Sequence, residues 1–274
     1  MTHYVVLAHA HPAALGEQVE DLRLVDPGCR ISVFNGGRDP QLTAGLDVEV
    51  VPTSRPLRHG FLALFHGLTM EWARGPVVTL DSDAWVVRPL PELDYVAPHL
   101  AEVHPGTPWR PGRRFLPSWP RWKDLLELEH PLRCFNPVQG FGPAYAERFL
   151  SWPHRRELMD RIAATRLEAL EEIVWPTLAV TLGISPQELP GSASLQLGRH
   201  APRDLQRLLA APDVHVLHKV GLEPGATDRR LVREHLHGDE PSFDMAPDYP
   251  VGPRPARPLA AAAKDLLHRS QRRR

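Results

Sequence analysis

Apolar and polar positions along this chain switch between two periods, and each switch marks a predicted element. Tyr4 to Ala8 is a short apolar run closed by His9-Ala10-His11-Pro12, which predicts a first strand feeding a loop. GEQVEDLRLV (16–25) spaces its apolar residues along one helical face, and ISVFNG (31–36) returns to a strand pattern ended by turn residues. VEVVP (48–52) is a candidate third strand. Leu57 to Ala73, LRHGFLALFHGLTMEWA, reads as a helix laid on a sheet; Gly75-Pro76 stops it, and VVTLD (77–81) opens the next strand. This strand–helix–strand rhythm predicts an α/β fold with a mainly parallel central sheet covered by helices on both faces. Ligands of such sheets bind beyond the carboxyl ends of the strands, where HAHP, NGGRD and DSD all fall.

The second half is less regular. Val103 to Pro131 carries Pro105, Pro108, Pro111, Pro117 and Pro120 in close succession and predicts a long irregular loop over the sheet. CFNPVQGFGPAYAERFLSW (134–152) predicts a turn-rich segment running into a helix. RLEALEEIVWPTLAVTLGI (166–184) predicts a helix pair or one helix bent at Pro176. VHVLHKVG (214–221) predicts a short strand entering a loop. After Pro250 the composition changes, so residues 1–250 are expected to form a single domain and 251–274 a Pro-rich linker and basic C-terminal tail dispensable for chemistry. No internal repeat is visible.

Composition narrows the classes. The 274 residues suffice for a large α/β domain, and 32 basic against 33 acidic side chains leave a net charge of −1, which argues against a nucleic-acid partner held by bulk electrostatics. Lys123, Lys219 and Lys264 are the only lysines, and the Arg/Ala/Pro-rich usage is that of a GC-rich bacterial genome. Cys29 and Cys134 make no disulfide framework. The amino terminus lacks a basic lead and reads as a strand, not a signal peptide, and no run approaches the roughly 20 apolar residues of a membrane helix. A soluble cytoplasmic protein is the expectation, with no transmembrane segment.

The chemistry begins at VVTLDSDAWVV (77–87), where Asp81 and Asp83 follow one apolar run and precede another. Unpaired buried carboxylates are costly, and two at a strand end become tolerable when a divalent cation neutralises them. The apolar strand, the Asp81-Ser82-Asp83 triplet and the following Arg88-Pro89-Leu90 resemble the metal motif of GT-A fold (Rossmann-like) glycosyltransferases. The resemblance spans roughly residues 3–225 and is carried by short motifs. It implies Mn²⁺ or Mg²⁺ held by Asp81 and Asp83 and bridging the phosphates of a nucleotide-sugar, with UDP the default. It also implies a histidine late in the domain that completes the metal shell, for which His218 is the candidate, with Lys219 behind it for a phosphate. His215 would lie on the other face of that strand; equally, both are two of fifteen scattered histidines.

Other expectations follow from the same resemblance. EALEEIVWPT matches the segment that supplies the carboxylate base of inverting members; Glu172 is preferred, since Glu171 lies one turn from Glu168 on what reads as a solvated face. Ala8, His9, Arg38 and Arg58 fall where the nucleoside is held, and Gln139 and Gly140 where the donor sugar is walled. His9 and His11 could also form a metal pair, with only two ligands visible. Trp109, Trp119 and Trp122 either stack on a sugar or polyol acceptor or pin the Pro-rich segment. The activity implied is transfer of a sugar from a nucleoside-diphosphate donor to a hydroxyl of a small-molecule or saccharide acceptor, leaning to inversion, although retaining members share the same acids and histidine. The rival enzyme resembled is a haloacid-dehalogenase-like phosphatase with Asp81 as nucleophile, Lys219 and GDEPSFD (238–244). Against it stand Trp85 where that family expects Thr or Val, the polar REHLH before Gly238, and the late position of the motif. A sugar-binding module without catalysis is the third class.

Overall fold

The computed structural model describes residues 1–37, 39–52, 61–167, 169–192, 195, 198 and 200–239. All of these belong to one unit, Met1–Pro241, and the expected linker and tail (251–274) lie outside the described residues. Strand β1 (His3–Ala8) is buried at every position and is hydrogen-bonded on both edges, as its uninterrupted apolar run requires. The strands that follow are β2 (Arg30–Asn35), β3 (Glu49–Val50), β4 (Val77–Asp81), β5 (Ala84–Val86), β6 (Tyr95–Ala97), β7 (Ala101–Glu102), β8 (Leu132–Arg133), β9 (Val138–Phe141), β10 (Gln187–Glu188) and β11 (Val216–His218). The helices are α1 (Pro12–Val25), α2 (Phe61–Ala73), α3 (Arg110–Phe115), α4 (Pro120–Leu126), α5 (Pro143–Ser151), α6 (Arg155–Ala164), α7 (Glu171–Thr181), α8 (Pro202–Ala210) and α9 (Thr227–His237).

Seven strands form the central sheet in the order β10-β6-β9-β4-β1-β2-β3, mainly parallel, with β9 antiparallel to both of its neighbours. Side chains alternate across it. Val5 and Leu7 enter a core with Phe65 of α2, Phe141 and the α7 residues Ile173, Val174 and Trp175, whereas Tyr4, Val6 and Ala8 meet Leu15, Val19 and Leu22 of α1. The α/β expectation therefore holds, with helices on both faces.

Two expectations about local structure are corrected. QGFGP is not a turn-rich wall. It contributes β9, and Gly140 is needed there because a Cβ would stand 2.6 Å from Val96 Cγ1. The Pro-rich stretch after Val103 is not an irregular loop throughout either. Pro111, Pro117 and Pro120 stand in the first turns of α3, the short 3-10 turn Leu116–Ser118 and α4, where a missing N–H costs nothing; Pro105 and Pro108 lie in the irregular stretch before α3. Trp119 and Trp122 are consequently buried in the core at 6% and 5% exposure, and only Trp109 keeps partial access.

Candidate functional site

The carboxyl end of β4 carries Asp81, and the chain turns through Ser82 and Asp83 into β5. Residues from the far end of the chain reach this point because β11 pairs antiparallel with β5, Ala84 opposite His218. Asp81, Asp83 and His218 each offer a ligand atom, all within 4.8 Å of one another. His218 is buried at 3% exposure, its Nε2 is 3.4 Å from Asp83 Oδ1, and its ring meets Phe135 edge-on at 5.1 Å. Its backbone carbonyl is 2.9 Å from His200 Nε2. Lys219 follows with a left-handed φ of 65° and donates to Asp83 Oδ2 at 2.7 Å. These are the residues that the sequence singled out for a cation, and no other group of three such ligands occurs among the described residues.

The electrostatics match a cation-seeking cluster. Burial, and then the neighbouring Asp83 charge, push the Asp81 carboxyl up to about 7. Burial acts on Asp83 too, but hydrogen bonds from His218 and Lys219 outweigh it and hold that carboxyl below its ordinary value. Two carboxylates and an imidazole are an oxygen-rich donor set with one borderline nitrogen, of a kind that could hold a divalent cation.

The amino terminus of α7 stands across from the cluster. Pro176 has no N–H for the carbonyl four residues before it, and that carbonyl, of Glu172, instead accepts from the Cys134 amide at 2.8 Å. The Glu172 side chain accepts from the Asn136 amide at 3.3 Å, and Thr177 Oγ1 accepts from the Leu132 amide at 2.9 Å. α7 thus fastens the 132–136 segment along its length. The expected solvated face of Glu171 does not exist: α7 is buried on nearly every side, and Glu171 is 6% exposed, whereas Glu172 keeps more access. Burial pushes Glu171 up to about 8, and the nearby Glu172 charge adds to it. Glu172 rises to about 7, mainly by burial; the Asn136 amide and the Arg133 charge oppose this, and the Asp81 charge assists it.

Behind these acids lies a buried polar chain that sequence reasoning missed. Tyr95 Oη donates to Gln139 Oε1 at 2.8 Å, and Gln139 Nε2 donates to Asn136 Oδ1 at 2.7 Å and to the Glu171 carbonyl at 3.2 Å. His66 Nε2 also stands 2.9 Å from Asn136 Oδ1, and burial drives that imidazole down to about 3, hence neutral and a donor. Gln139 is fully buried with its amide committed to protein partners, so the structure places it under the site rather than on its wall. Isolated polar letters inside apolar runs, His66 in FLALFHGLTM and Asn136 in CFNP, were the available signal.

The nucleoside candidates sit at the ends of β1 and β2. Gly36 N–H donates to the Ala8 carbonyl at 2.7 Å, and Gly37 lies so near His9 that a Cβ would be 2.4 Å from its carbonyl oxygen. His9 is exposed, as is His11, which takes a left-handed φ of 63° at the start of α1. Arg38 and Arg58 lie outside the described residues, as does Glu168. Asp239, the described part of the phosphatase-like acidic motif, is exposed just after α9 and is not in the cluster with Asp81.

Fold and site together define the class: an α/β protein whose parallel strands end in an acid–acid–histidine cluster suited to a divalent cation. No family model matches the chain, and no curated protein matches it. Among solved structures it is similar to the galactosyltransferase LgtC in complex with donor and acceptor sugar analogues, at 13% identity over 90% of this chain and 98% of that one, with a TM-score of 0.44. It is also similar to the glycosyltransferase GlyE of Streptococcus pneumoniae (11% identity, 86% of this chain, 60% of that one, TM-score 0.47). A third is mouse xyloside xylosyltransferase 1 in its apo form (11% identity, 79% of this chain, 96% of that one, TM-score 0.42).

Proposed function

We propose that this protein is a metal-dependent glycosyltransferase of the GT-A type, moving a sugar from a nucleoside-diphosphate donor, UDP by default, to a hydroxyl of a small-molecule or saccharide acceptor. One observation carries the reading: Asp81, Asp83 and His218 converge at the carboxyl end of the parallel strands, with the part-exposed Glu172 carboxyl in the same electrostatic neighbourhood. Asp81, Asp83 and His218 would hold Mn²⁺ or Mg²⁺, which when bound supplies positive charge to the diphosphate as it leaves. Lys219 lies beside Asp83 and would share a phosphate oxygen. Ser82, between the acids, and Ala8 and His9, at the end of β1, would border the ribose and base.

Glu172 is the base in this reading. Its carboxyl, raised to about 7, has the proton affinity for accepting the acceptor's hydroxyl proton near neutrality, and transfer then proceeds with inversion. Glu171, at about 8, holds its proton at neutral pH and is less suited. Gln139 and Asn136 keep α7 and the 132–136 segment in register, and Gly140 lets β9 pack; none of these need touch the donor. Among the described residues the phosphatase reading finds no acidic partner at Asp81, since Asp239 stands outside the cluster.

Isothermal titration with UDP, with and without Mn²⁺ at fixed salt, tests the proposal. Micromolar binding that requires the metal, about −8 kcal/mol, supports it. Absence of binding in both conditions sinks the donor site and turns attention to phosphate-ester hydrolysis.

A further inference from the structure

The segment 132–136 places alternate side chains on opposite sides. Cys134 and Asn136 point into the core at 1% and 5% exposure, whereas Arg133 and Phe135 both stay partly exposed. Phe135 meets the ring of His218, so the outward side of this segment is the side on which the Asp81–Asp83–His218 cluster lies. Arg133 stands one two-residue repeat further along, about 7 Å beyond Phe135. It lies next to α7, near enough for its charge to act on Glu172.

Arg133 is held there in an unusual state for a cation. Its guanidinium carbon lies 5.4 Å from the centre of the Trp109 ring, and no carboxylate forms an ion pair with it among the described residues. Its Nε is buried with no hydrogen-bond partner. Trp109 is itself fixed from below by Gly112, where a Cβ would be 2.5 Å from the indole Cε3. A guanidinium stays charged at any physiological pH, and stacking on an indole fixes its plane without using its donors. The charge has no direct ion-pair partner among the described residues, and the indole sets the plane of the donor fork.

We propose that Arg133, stacked on Trp109, is an oxyanion-recognising residue on the acceptor side of the cleft, so that the acceptor carries a carboxylate or a phosphate ester. The word "acceptor" rests on the transferase reading; the anion site itself does not. Two N–H···O contacts from the terminal guanidinium nitrogens to such a group would engage the charge, Nε staying buried, and place the acceptor's hydroxyl-bearing part toward Glu172.

The test titrates the full-length, metal-free protein with inorganic phosphate and, separately, with D-glucuronate, holding ionic strength constant with sodium chloride and reading tryptophan emission. A saturable response to at least one anion is expected, weakened about tenfold or more in Arg133→Gln. Phosphate alone would indicate a phosphate-ester acceptor, and glucuronate alone a carboxylate. Arg133→Lys keeps charge without the fork and is expected to weaken binding about threefold or more, which preserves the test should the glutamine variant fail to fold. No saturable response to either anion, or one unchanged in both variants, overturns the proposal. Metal-dependent UDP binding with no anion response removes this inference alone. An Arg133-dependent anion response without UDP binding removes the donor reading and leaves the anion site standing.

Discussion

Asp83 sits between His218 and Lys219 with a contact to each, so its removal unbalances both neighbours. Asp83→Ala is expected to abolish metal-dependent UDP binding in calorimetry while leaving the circular dichroism spectrum intact, because the residue lies at a strand end outside the apolar core. His218→Ala should weaken the metal less, since water can occupy a vacated position. Glu171 gives a pH prediction of definite sign. Its carboxyl is raised in the folded protein from an ordinary 4.5 to about 8, so the native state binds the extra proton. Its contribution is full below the unfolded value and is lost as pH rises through about 8, amounting to at most about 5 kcal/mol. In chelator, the melting temperature should therefore fall between pH 5 and pH 8, and Glu171→Gln should flatten that slope. An unchanged slope would remove Glu171 as its source. At this scale the sequence was informative about Asp81, Asp83 and His218, whose chemistry shows in their letters. It misjudged Glu171, because the burial of α7 comes from neighbours far away in the chain.

The elements around the site are held by close approaches that a single methyl disturbs. Gly37 lets the β2 loop lie against the His9 carbonyl, and a Cβ there must displace backbone, not a side-chain tip. Gly37→Ala is expected to cost about 1–3 kcal/mol in urea unfolding, and to weaken UDP binding if Ala8 and His9 border the nucleoside. α7 depends on a different device, the seam to residues 132–136. Thr177→Val removes the acceptor of the Leu132 amide, and a loss of about 1–2 kcal/mol with faster hydrogen exchange at Leu132 is expected. Pro176 was legible as a break in helical hydrogen bonding. That the freed Glu172 carbonyl would capture Cys134 was not, since the sequence does not say which strand passes by. The Pro-rich stretch shows the converse error: proline count pointed to irregular structure throughout, but Pro111, Pro117 and Pro120 stand at first helical turns, and only the part before α3 is irregular.

Across the whole molecule, the first helix is tied to the last described one. Asp21 of α1 is 1% exposed and accepts from Trp85 Nε1 at 2.7 Å and Arg233 Nε at 3.2 Å, with His237 Nε2 at 2.9 Å. Trp85 lies in β5 directly after Ala84, the strand partner of His218, so this ionic knot supports the β5–β11 strand pair that brings His218 to Asp81 and Asp83. Asp21→Ala leaves Arg233 and the Trp85 N–H without this partner and is expected to cost about 3 kcal/mol or more in denaturant unfolding. Mn²⁺ affinity should fall in the same variant. Loss of stability with full Mn²⁺ affinity would show that the knot does not support the cluster. No helix among the described residues is long and apolar enough to cross a membrane.

The sequence by itself determined the alternation of strands and helices in the first half, the sheet end that carries the acids, and the identity of the three side chains, Asp81, Asp83 and His218, that converge there. Those properties are local: burial periodicity, turn residues and side-chain chemistry can be read within a few positions of one another. Only the tertiary structure decided that β9 runs antiparallel through the sheet, that Gln139 serves a buried chain with Tyr95, Asn136 and His66, and that Arg133 stands on Trp109 beside Glu172. Each of these depends on pairings between residues that are distant in sequence, where backbone hydrogen bonding and packing, not local propensity, choose the partner.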